Sequence, residues 1–358
     1  MYNEENLRSF GKLICEIASG KVMSREEARE AYKQVILNEQ PELQQGAFLM
    51  SHITRGPSKV ELGGAWDALD LYDTEKFTAK TALPICDIVG TGSDILKTVN
   101  CSSPAAIIAS ACGLAIAKKG AKKVTGVSGA SDIFQEFGLD LNAPISKAKE
   151  CLEKYNICYL PGEAFLKSGW ARLIQTMRFT SAFNILGPIT FPCQNVDYIV
   201  IGAYSPTVCN QLVEVLQEIN IKRAVAPFGM AYNIDKIKGM DEFSNIGPTR
   251  VVELNQGKIE TYEVVPEDFG IKTAKYEDIA SHQCSKSNAS AIYEVLLEKH
   301  ESPLADLFCI NAGACLYISG LAKDYKQGYE KAMEALSTKK ALQQMEYLKQ
   351  VQGIKTSV

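Results

Sequence analysis

Apolar residues recur at helical spacing from the start of the chain, with Leu7, Leu13, Ile14, Ile17 and Ala18 sharing one face. Ser24-Arg-Glu-Glu27 has the form of a capping box, which satisfies the free amides of a helix start, and so predicts a helix over Ala28–Leu37. Gln44–Ile53 is again apolar along one face. The first seventy-odd residues therefore read as an all-helical subdomain. From Pro84 the period changes. Ile85–Val89 predicts a short buried strand, broken by Gly90-Thr-Gly-Ser-Asp94 and followed by a small-residue helix over about Ser102–Cys112. Leu114–Ala117 predicts a second strand, Lys118–Lys123 a lysine-rich loop, and Ser128-Gly-Ala-Ser-Asp132 the opening of another helix. Tyr198–Ala203 and Ala224–Ala226 predict further strands, joined by an amphipathic helix over Val208–Ile219. Arg250–Asn255 and Lys258–Val264 suit a hairpin around Gln256-Gly257, and the chain returns to helix from Asn288. Strand, glycine turn and helix in alternation give an α/β class with a mainly parallel central sheet. No repeat and no low-complexity linker interrupts the pattern.

Composition narrows the functional classes. The chain has 358 residues, 46% of them hydrophobic, and its 38 basic and 42 acidic side chains leave a net charge of -4. With no global basic field, nucleic-acid binding would need a local patch, so the acidic balance argues against it. The 11 cysteines include no C-x-x-C pair, and His52, His282 and His300 stand far apart, so a zinc site of finger spacing is not supported. Cys86, Cys101, Cys112, Cys309 and Cys315 sit in apolar stretches, as free thiols do, which points to a reducing, cytoplasmic setting. Met1–Ser9 is too polar for a secretory signal, and the apolar run Ala105–Ala117 falls short of the ~20 residues that span a bilayer. A soluble protein that makes no use of a membrane is expected.

The candidate chemistry begins at Asp87-Ile-Val-Gly-Thr-Gly-Ser-Asp94. A strand ending in two glycines two apart lets the backbone approach a ligand, and the helix N-terminus beyond favours an anion, most often phosphate. The turn is neither a Rossmann fingerprint nor a Walker loop, and taken alone it is equally a bare strand-to-helix turn. Asn100, Ser102 and Ser103 add an amide and hydroxyls at the next helix start. Lys118, Lys119, Lys122 and Lys123 crowd the end of the second strand, where open α/β sheets bind ligands. Gly239-Met-Asp-Glu242 places adjacent carboxylates in a glycine-flanked loop, able to hold Mg²⁺ if phosphate oxygens complete the shell. No histidine or cysteine is placed as a nucleophile and there is no G-x-S-x-G elbow, so no acid or base is assigned.

Taken in order, Asp87–Asp94, Thr98-Val-Asn-Cys-Ser-Ser103, Lys118-Lys-Gly120, Ser128-Gly129 with Asp132, Phe183-Asn-Ile-Leu-Gly-Pro188 and Gly239–Glu242 through Gly247-Pro-Thr-Arg-Val-Val-Glu253 resemble the anthranilate phosphoribosyltransferase family. Ser24–Ala28 with Gly46–Met50, and Asn311-Ala-Gly-Ala-Cys-Leu-Tyr317, are similar too. The resemblance implies a small helical domain over 1–78, with a contribution from about 164–182, beside an α/β domain over 79–358, usually as a homodimer. It implies transfer of 5-phosphoribose from phosphoribosyl pyrophosphate to a small aromatic acceptor, as in tryptophan biosynthesis. Donor contacts would come from Gly90, Thr91, Gly92, Asp94, Thr98, Asn100, Ser102, Ser103, Lys118, Gly120, Lys122 and Ser128. Mg²⁺ would be held by Ser102, Asp241 and Glu242.

Departures from the family pattern bear on the acceptor. Ser93 stands where the family loop G-T-G-G-D has its third glycine. Ala121 replaces the asparagine that contacts anthranilate, and Ile174 occupies the register of the arginine that pairs with its carboxylate, with Arg172 and Arg178 nearby. An arginine–carboxylate pair is charge-assisted and often bidentate, so its loss implies either a different aromatic acceptor or a stand-in from Arg172 or Arg178. Two other readings stay open: a homologue that holds nucleic acid or regulates a pathway, and a nucleoside phosphorylase of the same superfold. Retained Asp94, Asn100, Ser102, Asp241 and Glu242 weigh against the first, and the absence of the pyrimidine phosphorylase loop motifs against the second.

Overall fold

The structure, a computed structural model, describes residues 3–123, 126–167, 169–177, 179, 181–234 and 238–354, with the side chains of 174–176 excepted. The chain divides into two compact units, one of residues 1–76, 165–192 and 214–220, the other of 77–164, 193–213 and 221–358.

The first unit is helical. Helices Glu4–Ala18, Arg25–Ile36, Glu42–Arg55 and Lys59–Ala68 bury Phe10, Ile17, Tyr32, Val35, Phe48, Leu49 and Leu62. The Ser24 hydroxyl and the Glu27 carboxylate close the expected capping box on the second helix. Sequence patterning missed the fourth helix, whose Gly63-Gly64 pair reads as a breaker. A Cβ on Gly64 would lie 2.1 Å from the Arg25 carbonyl, so the glycine serves the close approach of two helices. Buried Glu61 accepts from Arg55, from the Ser58 hydroxyl and from the Met23 and Ser58 amides. Burial pushes its carboxyl up, but these bonds and His52 more than offset that, and the group lies well below the usual carboxylate range.

The second unit is built on one seven-stranded sheet. In chain order the strands are β1 Ile85–Gly90, β2 Ala115–Gly120, β3 Ile157–Pro161, β4 Val196–Gly202, β5 Arg223–Gly229, β6 Thr249–Asn255 and β7 Lys258–Val264. Their order is β3-β2-β1-β4-β5-β6-β7, parallel through β5, with β6 and β7 antiparallel at one edge. The β6–β7 hairpin turns at Gln256 (φ 49°) and Gly257 (φ 81°), the left-handed pair that a two-residue turn requires. Strand β3 had no counterpart in the sequence reading. Helix Ser102–Ala111, almost wholly buried, packs on β1 and β2 and against the buried helix Pro303–Ile318. Among the described residues no helix is long and apolar enough to cross a membrane.

The lysine-rich segment needs correction. Lys118, Lys119 and Gly120 belong to β2 rather than to a loop, and both lysines are buried, at 1% and 3% exposure. Lys119 is paired with Asp87 of β1, and the Lys118 ammonium donates to the Lys119 carbonyl at 2.7 Å. A charge is tolerated in a strand interior when a neighbouring strand supplies its counter-ion, which periodicity along one strand does not reveal.

Candidate active site

Four strands, β1, β2, β4 and β5, end in glycine at the carboxyl edge of the sheet, where Gly90 pairs with Gly202. Across three of these ends runs the loop that carries Asp241 and Glu242. A Cβ on Gly90 would stand 2.2 Å from the Asp241 carboxylate, one on Gly202 1.4 Å from the Asp241 carbonyl, and one on Gly229 2.4 Å from the Glu242 carbonyl. Glycine at these ends is what lets the loop lie flat on the sheet. Gly229 and Met240 exchange backbone hydrogen bonds of 2.9 Å, and the Gly239 carbonyl accepts from the Ile95 and Leu96 amides. Asn311, 2% exposed on helix Pro303–Ile318, accepts from the Phe243 amide (3.0 Å) and donates to its carbonyl (3.1 Å), fixing the residue next to Glu242.

The glycine turn and the carboxylate loop meet directly, although 149 residues separate Gly92 from Asp241. The Gly92 amide donates to the Asp241 carboxylate at 2.6 Å, and the Thr98 hydroxyl donates to Glu242. Asp94, its side chain 9% exposed, pairs with Lys97 at 2.6 Å. Burial, and then the charge of Asp94, push the Asp241 carboxyl up to about 7. Burial, then the charges of Asp241 and Asp94, push Glu242 well above the usual carboxylate range, and Asp94 is raised chiefly by burial against the pull of Lys97. Three acids crowded in this way favour a cation among them. Among the described residues no three carboxylate, imidazole or thiol groups are arranged to hold a metal alone. The set fits a hard divalent cation that takes part of its oxygen shell from a phosphate ligand.

A glycosyl transferase family model of the α/β domain matches residues 82–342, and the helical bundle domain model of that family matches residues 12–70. Anthranilate phosphoribosyltransferase of Shewanella sp. strain MR-7 is 31% identical over 352 residues, covering 96% of this chain and 97% of the relative. The chain belongs to the anthranilate phosphoribosyltransferase family. The Thermus thermophilus member superposes with a TM-score of 0.85 at 28% identity, over 94% of this chain and 97% of that one. A Saccharomyces cerevisiae member, solved in complex with PRPP and Mg, matches in fold with a TM-score of 0.82 at 24% identity, covering 97% of each chain. The chain is thus a glycosyltransferase of the pentosyl-transferring, anthranilate phosphoribosyltransferase-like class.

Within this family fold the expected donor residues fall into two groups. Gly90, Thr91, Gly92, Asp94, Thr98 and Asn100 lie on the turn beneath the carboxylate loop or on the segment leading out of it. The Thr91 amide donates to the Gly202 carbonyl and the Thr91 hydroxyl accepts from the Tyr204 amide. Asn100 accepts from the Ser103 amide at 3.2 Å, one residue inside the helix that Ser102 opens, while the buried Ser103 hydroxyl has no partner among the described residues. The second group follows β2. The Lys122 amide donates to Glu163 at 3.4 Å and Ser128 accepts from Asn288 at 3.0 Å, while the carbonyl of Ala121, expected on the acceptor side, accepts from the Ser131 amide. Lys118 is buried within β2, and burial pushes its ammonium down to about 8. The amides of Thr91 and Gly92 are bonded within the chain, to the Gly202 carbonyl and the Asp241 carboxylate.

Ser93 is in the left-handed region, at φ 63°, directly after Gly92 at φ 64°. The backbone here asks for glycine, as in the family loop, and a serine resists that conformation by about 1 kcal/mol. Ser93→Gly is expected to raise the urea midpoint by a corresponding amount with no change in slope; an unchanged or lower midpoint would show that the turn is unstrained.

On the acceptor side, Arg172 donates to the Val35 carbonyl and to Gln45 Oε1, both at 2.6 Å, within the helical unit. Both bonds run from one terminal nitrogen, Nη2, and hold the guanidinium against the helical unit. Arg178 lies outside the described residues, as does the side chain of Ile174. Sequence reasoning missed Lys97, Asn288 and the platform glycines Gly202 and Gly229. The repeated ending of apolar strands in glycine, as in Ile88-Val-Gly90, Val200-Ile-Gly202 and Pro227-Phe-Gly229, was the available signal.

Proposed function

We propose that this protein transfers 5-phosphoribose from phosphoribosyl pyrophosphate to a small aromatic acceptor, with Mg²⁺ held by Asp241 and Glu242 and by Ser102 at the helix start. The observation that carries the reading is the contact of the Asp241–Glu242 loop with the glycine turn, through Gly92 and Thr98. The donor's pyrophosphate would lie between the turn and the loop. The cation would neutralise the leaving diphosphate. The chain's own contribution is to fix both carboxylates, through Asn311 and the glycine platform, before the ligand arrives. A cationic ribosyl carbon attacked by an aromatic amine needs alignment rather than a strong base, in keeping with the absence of an assigned acid or base.

Anthranilate is the acceptor named for the relatives, and it is one candidate here. Ala121 and the engaged Arg172 favour an aromatic amine or heterocycle whose recognition does not require a buried guanidinium. The test is incubation with phosphoribosyl pyrophosphate, Mg²⁺ and a panel of aromatic amines, phenols and heterocycles, reading pyrophosphate release. Acceptor-dependent release is expected with at least one compound, and none across the panel together with no calorimetric binding of the donor at millimolar concentration would remove the reading.

A further inference from the structure

One group already occupies the place of an anion at the turn. The Gly92 N–H points at the Asp241 carboxylate with a 2.6 Å contact, and the Cα of Gly90 lies so near the same carboxylate that no side chain fits between them. Asp241 cannot drift away as a whole residue. Its carbonyl lies over Gly202, and Asn311 clamps the backbone two residues on. Only a rotation of its side chain can release the amide. A carboxylate oxygen on a backbone amide makes the same kind of charge-assisted bond that a phosphoryl oxygen would make there.

We infer that Asp241 gates the pyrophosphate subsite: its carboxylate caps the Gly92 amide until a divalent cation draws it away, so that metal and diphosphate bind as one coupled event. This rests on the functional reading above and adds to it an order that the reading does not require. A diphosphate arriving without a cation meets both an occupied donor and a fixed negative charge. Once the cation takes the carboxylate, the same amide turns from an internal bond into a ligand contact. The coupling is reciprocal, so diphosphate must tighten the cation by the factor by which the cation tightens diphosphate.

The probe is inorganic pyrophosphate, titrated calorimetrically into the full chain with EDTA or with Mg²⁺, alongside Asp241→Asn and Asp241→Ala. Asparagine removes the charge yet keeps an oxygen on the Gly92 amide, whereas alanine removes both. Wild type is expected to bind pyrophosphate at least tenfold more weakly in EDTA than in Mg²⁺. In EDTA the alanine variant should bind it severalfold more tightly than the asparagine variant. In wild type, the Gly92 amide resonance should be protected from exchange without metal, stay in place with pyrophosphate in EDTA, and shift when pyrophosphate is added together with Mg²⁺, a readout that needs no variant to fold. Equal metal-free affinities for the two variants, or a Gly92 amide indifferent to Mg²⁺ with pyrophosphate, would overturn the gate while leaving the transferase reading intact. Failure of wild type to bind pyrophosphate even with Mg²⁺ would overturn that reading itself.

Discussion

Converting Asp241 to asparagine and Glu242 to glutamine together is expected to lower metal-dependent pyrophosphate release by about a thousandfold or more, with the thermal midpoint of the α/β unit held or raised. The size follows from what the pair does. Charge stabilisation of a leaving diphosphate by a cation amounts to several kcal/mol, and each 1.36 kcal/mol is about tenfold in rate. The stability follows from the crowding of three acids. Burial and then the charges of neighbouring acids push Asp241 and Glu242 up, so their ionised forms oppose folding rather than support it. Both amides preserve the contacts to Gly92 and Thr98 in shape. The check is a steady-state release assay paired with a melting curve. A rate within a few-fold of wild type would overturn the metal assignment, and a collapsed melt would show the carboxylates to be structural.

Some of this architecture is written locally and some is not. The capping box at Ser24–Glu27 and the Gln256-Gly257 turn depend on residues within four positions of one another, so their chemistry is complete in the sequence. The helix Lys59–Ala68 was missed because Gly63 and Gly64 break the local pattern for the sake of a contact with Arg25, more than thirty residues away. Strand β3, Ile157–Pro161, is only five residues, all buried, and has no alternation by which a period of two could be recognised. The burial of Lys119 depends on Asp87, 32 residues earlier on the adjacent strand. The glycine turn and the acidic loop were each legible as fragments, and the family resemblance joined them. Their actual contact was not, because a carboxylate bonding to the turn's own amide is set by the sheet order that brings β1, β4 and β5 side by side.

Gly202→Ala is expected to produce the largest structural loss for the smallest chemical change. A methyl group at Gly202 would stand 1.4 Å from the Asp241 carbonyl oxygen and 2.2 Å from its carbon, and both are backbone atoms. Relief would require the loop to lift off β4. The Gly229–Met240 bridge on one side and the Asn311 clamp on Phe243 on the other oppose that movement within two residues. The clash therefore cannot be dissipated by a side-chain rotation, and the cost should reach or exceed the about 3 kcal/mol at the upper end of ordinary overpacking. Where the unit still folds, the displaced carboxylates should weaken binding of Mg²⁺ with pyrophosphate by at least about a hundredfold. Gly46→Ala supplies the contrast: a Cβ there meets nothing within 4 Å, and the residue lies inside helix Glu42–Arg55. That change should stabilise the chain by about 0.5–1 kcal/mol through helix propensity alone, leaving ligand binding unaltered. Urea unfolding and calorimetry on the two variants separate the cases, and a Gly202→Ala protein as stable and as tight-binding as wild type would mean that the carboxylate loop does not rest on the strand ends.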